Sequence, residues 1–103
     1  MVIVPFPYAD KLAEKRRPAL IVSGDRFNAR TGLVWVAMIT SAVNRRWDDD
    51  VDLGGGNTGL NVPSLIRLSK IVTIEPARIV RIAGKVSDAT KRKVKLKLLG
   101  NLR

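Results

Sequence analysis

The apolar residues of this chain fall in short runs rich in Val and Ile, each cut off within a few residues by proline, glycine or a charged stretch. That pattern predicts a mainly β protein, because β-branched side chains pack well on a pleated surface and strands are short. Val2-Ile3-Val4 reads as a first strand that Pro5 and Pro7 end, since neither can donate a ladder hydrogen bond. Ala9 to Arg17 is polar and lacks a period, so a mobile loop is expected there. Ala19-Leu20-Ile21-Val22 reads as a buried strand between Pro18 and Ser23, and Asp25 to Asn28 as a short turn of helix. Leu33 to Ile39 is the strongest strand, seven apolar residues ending in Thr40-Ser41, with Trp35 as an expected core anchor. Val51-Asp52-Leu53 alternates like a half-exposed strand. Ser64 to Glu75 reads as a longer one, bulged around Ser69-Lys70, and Ile79 to Val86 as the last.

The C-terminal stretch has two readings. Val94, Leu96 and Leu98 alternate with lysines as in a strand, yet Val94 and Leu98 also stand one helical turn apart. We expect a helix from Ala89 to Leu99, capped by Ser87 or Asp88 and closed by Gly100. The 103 residues suit one domain, 1–103. No apolar stretch approaches the roughly 20 residues needed to cross a bilayer. No positive segment precedes Val2, so no secretory signal and no membrane association is expected. Absence of Cys removes disulfides and thiol nucleophiles, and it fits a reducing, cytoplasmic setting.

Nineteen Lys and Arg against nine Asp and Glu give a net charge of +10, which favours a polyanionic or acidic partner. Any catalysis proceeds without His or Cys, as the chain has neither. The Asp48-Asp49-Asp50 run makes a poor metal cage, because adjacent strand side chains point to opposite faces; a solvated acidic loop is expected, and no metal or cofactor. Arg16-Arg17 stand just before a buried run, where a planar guanidinium suits phosphate, or they are ordinary surface arginines. Thr40 and Ser41 offer hydroxyls at the end of the central strand, to bind a phosphate oxygen or to tie off the sheet. Trp47, beside Arg45 and Arg46, is either a base-stacking platform or a loop anchor. Arg16, Arg45, Arg46, Trp47, Arg67 and Lys70 form the candidate set of nucleic-acid contacts.

Taken in order, the segments resemble a family. Val4-Pro5-Phe6-Pro7-Tyr8-Ala9-Asp10 and Lys15-Arg16-Arg17-Pro18-Ala19-Leu20-Ile21-Val22-Ser23 are similar to the opening of the MazF/PemK toxins. Asp25-Arg26-Phe27-Asn28, Ile39-Thr40-Ser41, Gly59-Leu60-Asn61-Val62-Pro63-Ser64 and Lys70-Ile71-Val72-Thr73-Ile74-Glu75 continue the match. The resemblance implies a small SH3-like barrel with a C-terminal helix, commonly a homodimer. It implies cleavage of single-stranded RNA without metal and neutralisation by an acidic antitoxin. It gives catalytic positions to Arg17 and Thr40, with Asp10, Glu14 and Ser41 as auxiliary candidates. The competing reading is a non-catalytic barrel that binds RNA or the antitoxin.

Overall fold

The computed structural model describes residues 1–6, 15–53, 59, 60 and 62–103. Six strands and two helices follow one another: β1 (Val2–Phe6), β2 (Lys15–Ile21), α1 (Asp25–Thr31), β3 (Val34–Ser41), β4 (Asp50–Asp52), β5 (Ser64–Ile74), β6 (Arg81–Ile82) and α2 (Asp88–Asn101), with a 3-10 turn at Pro76–Arg78. The strands make one antiparallel sheet in the order β4-β5-β3-β2-β1-β6.

The expected SH3-like barrel is not what forms: among the described residues the sheet is open, with β4 and β6 as its two edges. Closure would need those edges to pair, and they are three and two residues long. The outer edge of β4 is also already used. The Asp50 carbonyl accepts from Arg46 Nη2 at 3.1 Å, and the Asp50 N–H donates to the Trp47 carbonyl at 3.0 Å. The mainly β composition with a terminal helix stands as expected.

Other boundaries also moved. Lys15 to Arg17 belong to β2 rather than to a loop, while residues 9–14 of that expected loop lie outside the described residues. The last strand contracts to Arg81–Ile82. The expected bulge is present: β5 pairs Ile71 with Ala37 but Arg67 with Met38, so Leu68, Ser69 and Lys70 fall between two partners that are adjacent on β3. Gly59 has φ +72°, and a Cβ there would sit 2.1 Å from the Ala83 carbonyl oxygen, so only glycine fits.

Each sheet face carries its own apolar cluster. Leu20, Ala37, Ile39, Val51, Ile66 and Leu68 bury one face together with Val94 of α2. Val2, Val4, Ala19, Val34, Val36 and Met38 gather on the other, with Ile79 packed against them. Helix α2 docks through a stripe one turn apart: Thr90 and Val94 are buried, and Leu98 packs on the core. This stripe decides the helix over the alternating reading, and Val94 alone is worth about 1.5–3 kcal/mol of apolar burial. The Ser87 hydroxyl accepts from the Thr90 N–H at 3.2 Å, confirming Ser87 as the cap. Gly100 lies inside the helix instead of ending it.

Candidate active site

The antiparallel registers bring the candidate residues into two neighbouring rows. Val2, Ala19, Met38, Arg67 and Asp50 stand side by side across β1, β2, β3, β5 and β4. One step along, Val4 faces Arg17, Thr40 faces Leu65, and Leu65 faces Asp52. Recorded pairing between β2 and β3 stops at Ala19–Met38, next to Pro18, which has no N–H to give. Arg17 stands two residues before Ala19 on β2, and Thr40 two residues after Met38 on β3. Cross-strand neighbours share a face, and both belong to the face of Val4 and Met38. The two residues that the resemblance nominated thus lie on one sheet face of adjacent strands, although they are far apart in sequence.

Their surroundings differ. Arg17 is half-buried, and its guanidinium makes no hydrogen bond or ion pair with another described residue. Thr40 is buried, and its Oγ1 accepts from Asn44 Nδ2 at 2.7 Å. Arg16 alternates to the opposite face, exposed, opposite Pro5. Ser41 is taken up by the turn that follows: its Oγ accepts from the Val43 N–H at 3.3 Å and its carbonyl accepts from the Asn44 N–H at 3.1 Å. Asp10 and Glu14 lie outside the described residues.

Arg67 is not the surface RNA contact expected. It is 6% exposed, donates from Nε and Nη2 to the two carboxylate oxygens of Asp50 at 3.1 and 2.9 Å, and also reaches the Arg45 carbonyl at 2.6 Å. Its guanidinium carbon lies 3.9 Å from the centre of the Trp47 ring. Asp50 is likewise no part of a solvated acidic loop: it is 1% exposed and accepts the Trp47 N–H at 2.8 Å. Burial pushes its carboxyl up. The hydrogen bonds from Arg67 and the Trp47 backbone, with the charges of Arg67 and Arg46, outweigh that and hold it below its ordinary value. Asp49 accepts from Ser69 and from Asn101 of α2, and Asp48 stays exposed.

Trp47 therefore spends one ring face on the buried guanidinium and keeps 37% of its surface open, with the Lys70 ammonium 5.3 Å from its centre. Arg46 is tied to β4 through an exposed pair with Asp52 at 2.9 Å, while the Arg45 side chain is exposed. Trp35 is a further correction, 42% exposed and packed on Phe27 of α1 at 4.4 Å rather than sunk in the core. Among the described residues no three His, Cys, Asp or Glu side chains converge as metal ligands, and no helix is long and apolar enough to cross a membrane.

An open, basic, edge-capped β sheet with a guanidinium and a hydroxyl aligned at one strand end is suited to binding a phosphate ester. Comparison with known proteins gives that class a family. The family model for the PemK-like, MazF-like toxin of type II toxin–antitoxin systems matches residues 1–101, and the chain belongs to this family. Endoribonuclease MazF9 of Mycobacterium tuberculosis is 34% identical over 82 residues, covering 75% of this chain and 70% of that protein. The fold is shared with Mycobacterium tuberculosis toxin MazF-mt6, at TM-score 0.76 and 23% identity over 98% of this chain and 93% of that one. It is shared too with a mycobacterial endoribonuclease solved with its cognate antitoxin, at TM-score 0.76 and 22% identity over 98% and 88% of the two chains.

Proposed function

We propose that this chain, as a single domain over residues 1–103, is a cytoplasmic endoribonuclease toxin that cuts single-stranded RNA without a metal ion. Family membership and the endoribonuclease relative support the substrate class. What supports the chemistry is that Arg17, opposite Val4, and Thr40, two residues past Met38, lie on the same sheet face on adjacent strands.

In this reaction the RNA 2′-oxygen bonds to the adjacent phosphorus as the bond from phosphorus to the 5′-oxygen breaks. The 2′-hydroxyl proton leaves to a base, the 5′-oxygen takes up a proton, and the ends are a 2′,3′-cyclic phosphate and a 5′-hydroxyl. Arg17 neutralises charge growing on the phosphorane oxygens, where fixed donors matter most. Thr40 donates to a non-bridging oxygen. Asp10 and Glu14 are candidates for the base. Cleavage is expected to persist in excess EDTA and to leave those two ends, read by end-group analysis of labelled RNA. Activity lost on chelation and restored by Mg²⁺ would return a metal to the mechanism.

The binding half has its own test. With roughly four phosphates neutralised per site, affinity for an uncleavable RNA falls with log salt at a slope near −3, about 0.7 per contact. Arg45→Ala and Arg16→Ala each flatten the slope by up to about 0.7 across varied sequences. Lys91 of α2, beside the chain's amino terminus, is the control: Lys91→Ala leaves the slope unchanged.

A homodimer and an acidic antitoxin partner belong to the same reading. Leu96 and Leu99 stand exposed on α2, and Leu102 just past its end, among lysines and arginines, an apolar ridge suited to protein contact. That ridge is also what favours the second reading, a non-catalytic domain binding RNA or the antitoxin. Cleavage by the purified chain separates the two.

A further inference from the structure

A threonine hydroxyl has one proton to give and two lone pairs to receive with. At Thr40 one lone pair is filled by Asn44 Nδ2 at 2.7 Å, and the proton is donated to no acceptor among the described residues. The rest of the Asn44 residue is fixed by the turn after β3. Its N–H binds the Ser41 carbonyl at 3.1 Å, Val43 N–H binds Ser41 Oγ at 3.3 Å, and Ala42 N–H binds the Pro63 carbonyl at 2.9 Å. The loop's far end is held as firmly, through the Arg67 bond to the Arg45 carbonyl and the Asp50 bond to the Trp47 N–H. Asn44 thus approaches Thr40 from a backbone anchored on both sides.

A buried hydroxyl whose neighbour was an acceptor would turn its proton inward and present only lone pairs to an anion. A donor in that place does the reverse. We propose that Asn44 is a positioning residue: its amide fills the acceptor side of Thr40 Oγ1, so that the Thr40 proton is left for a phosphate oxygen. This rests on the reading of Thr40 as a donor to the reacting phosphate, and it adds the group that sets the hydroxyl's direction. Asn44 needs no contact with RNA to do this; it acts through Thr40.

The test is a double-mutant cycle read by single-turnover cleavage over a range of RNA concentrations, with thermal melting of each variant as the check on folding. Asn44 is exposed on its loop, so Asn44→Ala is expected to melt as the wild type does. It lowers the saturated rate about tenfold, within the range for loss of one supporting polar contact, and leaves the half-saturating RNA concentration unchanged. Asn44→Asp, of the same size but lacking the donor, loses more, because its carboxylate captures the Thr40 proton. In a Thr40→Ala background, Asn44→Ala costs nothing further. An equal loss in both backgrounds overturns the proposal, since Asn44 would then act on RNA by itself, and so does a neutral Asn44→Ala. Thr40→Ala with no effect would instead remove Thr40 from the reaction, and the positioning role with it.

Discussion

Arg17→Ala is expected to lower the single-turnover rate at saturating RNA by about two to three powers of ten, the loss typical of removing one preorganised donor from an oxyanion site. The expectation follows from placement. Arg17 sits on β2 opposite Val4 of β1, on the sheet face whose Val4 and Met38 cluster fixes the backbone. A half-buried guanidinium without a described partner is ready to meet an anion. Arg17→Lys keeps the charge but not the planar fork, and recovers only part of the rate. Thr40→Ala costs less, about tenfold to a hundredfold, because water can replace a single hydroxyl donor. An Arg17→Ala enzyme weakened only in binding, with its saturated rate intact, would mean that the arginine grips the RNA and takes no part in the bond exchange.

The second large effect is on stability. Asp50→Ala leaves Arg67 as a buried, unpaired cation and is expected to cost about 3–5 kcal/mol, seen as a lowered midpoint in urea. Replacing both partners together, Asp50→Leu with Arg67→Met, removes the pair without stranding a charge and recovers most of that loss. The recovered protein is expected to cut RNA poorly, since Arg67 also holds the Arg45 carbonyl and Trp47 ring in place. The pH dependence has a definite sign. The Asp50 carboxyl is held below its ordinary value of 3.8 in the folded protein, so the pair's contribution is complete above that value and is lost as pH falls through the lower folded one. The wild type therefore loses stability on acidification below about pH 4, and the doubly replaced protein loses less over the same window.

These two expectations mark where the sequence was and was not legible. The strand runs, the break at Ser69-Lys70 and the terminal helix were readable because each leaves a local trace in hydrophobic period or capping residues. Arg17 and Thr40 are nominated by ordered motifs alone, and the strands place both on one sheet face. Asp50 was read as one of three solvated acids because nothing in Asp48-Asp49-Asp50 marks the third as different. Its burial is created by pairing with Arg67, 17 residues away, on β5. Arg67 was misread for the same reason. Trp35 shows the limit of apolar runs: alternation along β3 sends it outward to Phe27 while Val34 and Val36 face in. Closure of the sheet was equally out of reach, because it depends on how far β4 and β6 extend. Arg46, which occupies the outer carbonyl of β4, gives no sign of that role in its own sequence neighbourhood.

In the proposed reaction the RNA's own 2′-oxygen is the nucleophile, activated beside Arg17 and Thr40. The most direct measurement compares two oligonucleotides in excess EDTA under single-turnover conditions, one all-ribose and one with a single deoxyribose at the scissile nucleotide. The deoxy strand is expected to bind with about the same affinity and to stay uncut there, while the ribose strand yields cyclic phosphate and 5′-hydroxyl ends. Cutting of the deoxy strand at the same site and a comparable rate would contradict it, since the attacking oxygen would then come from water.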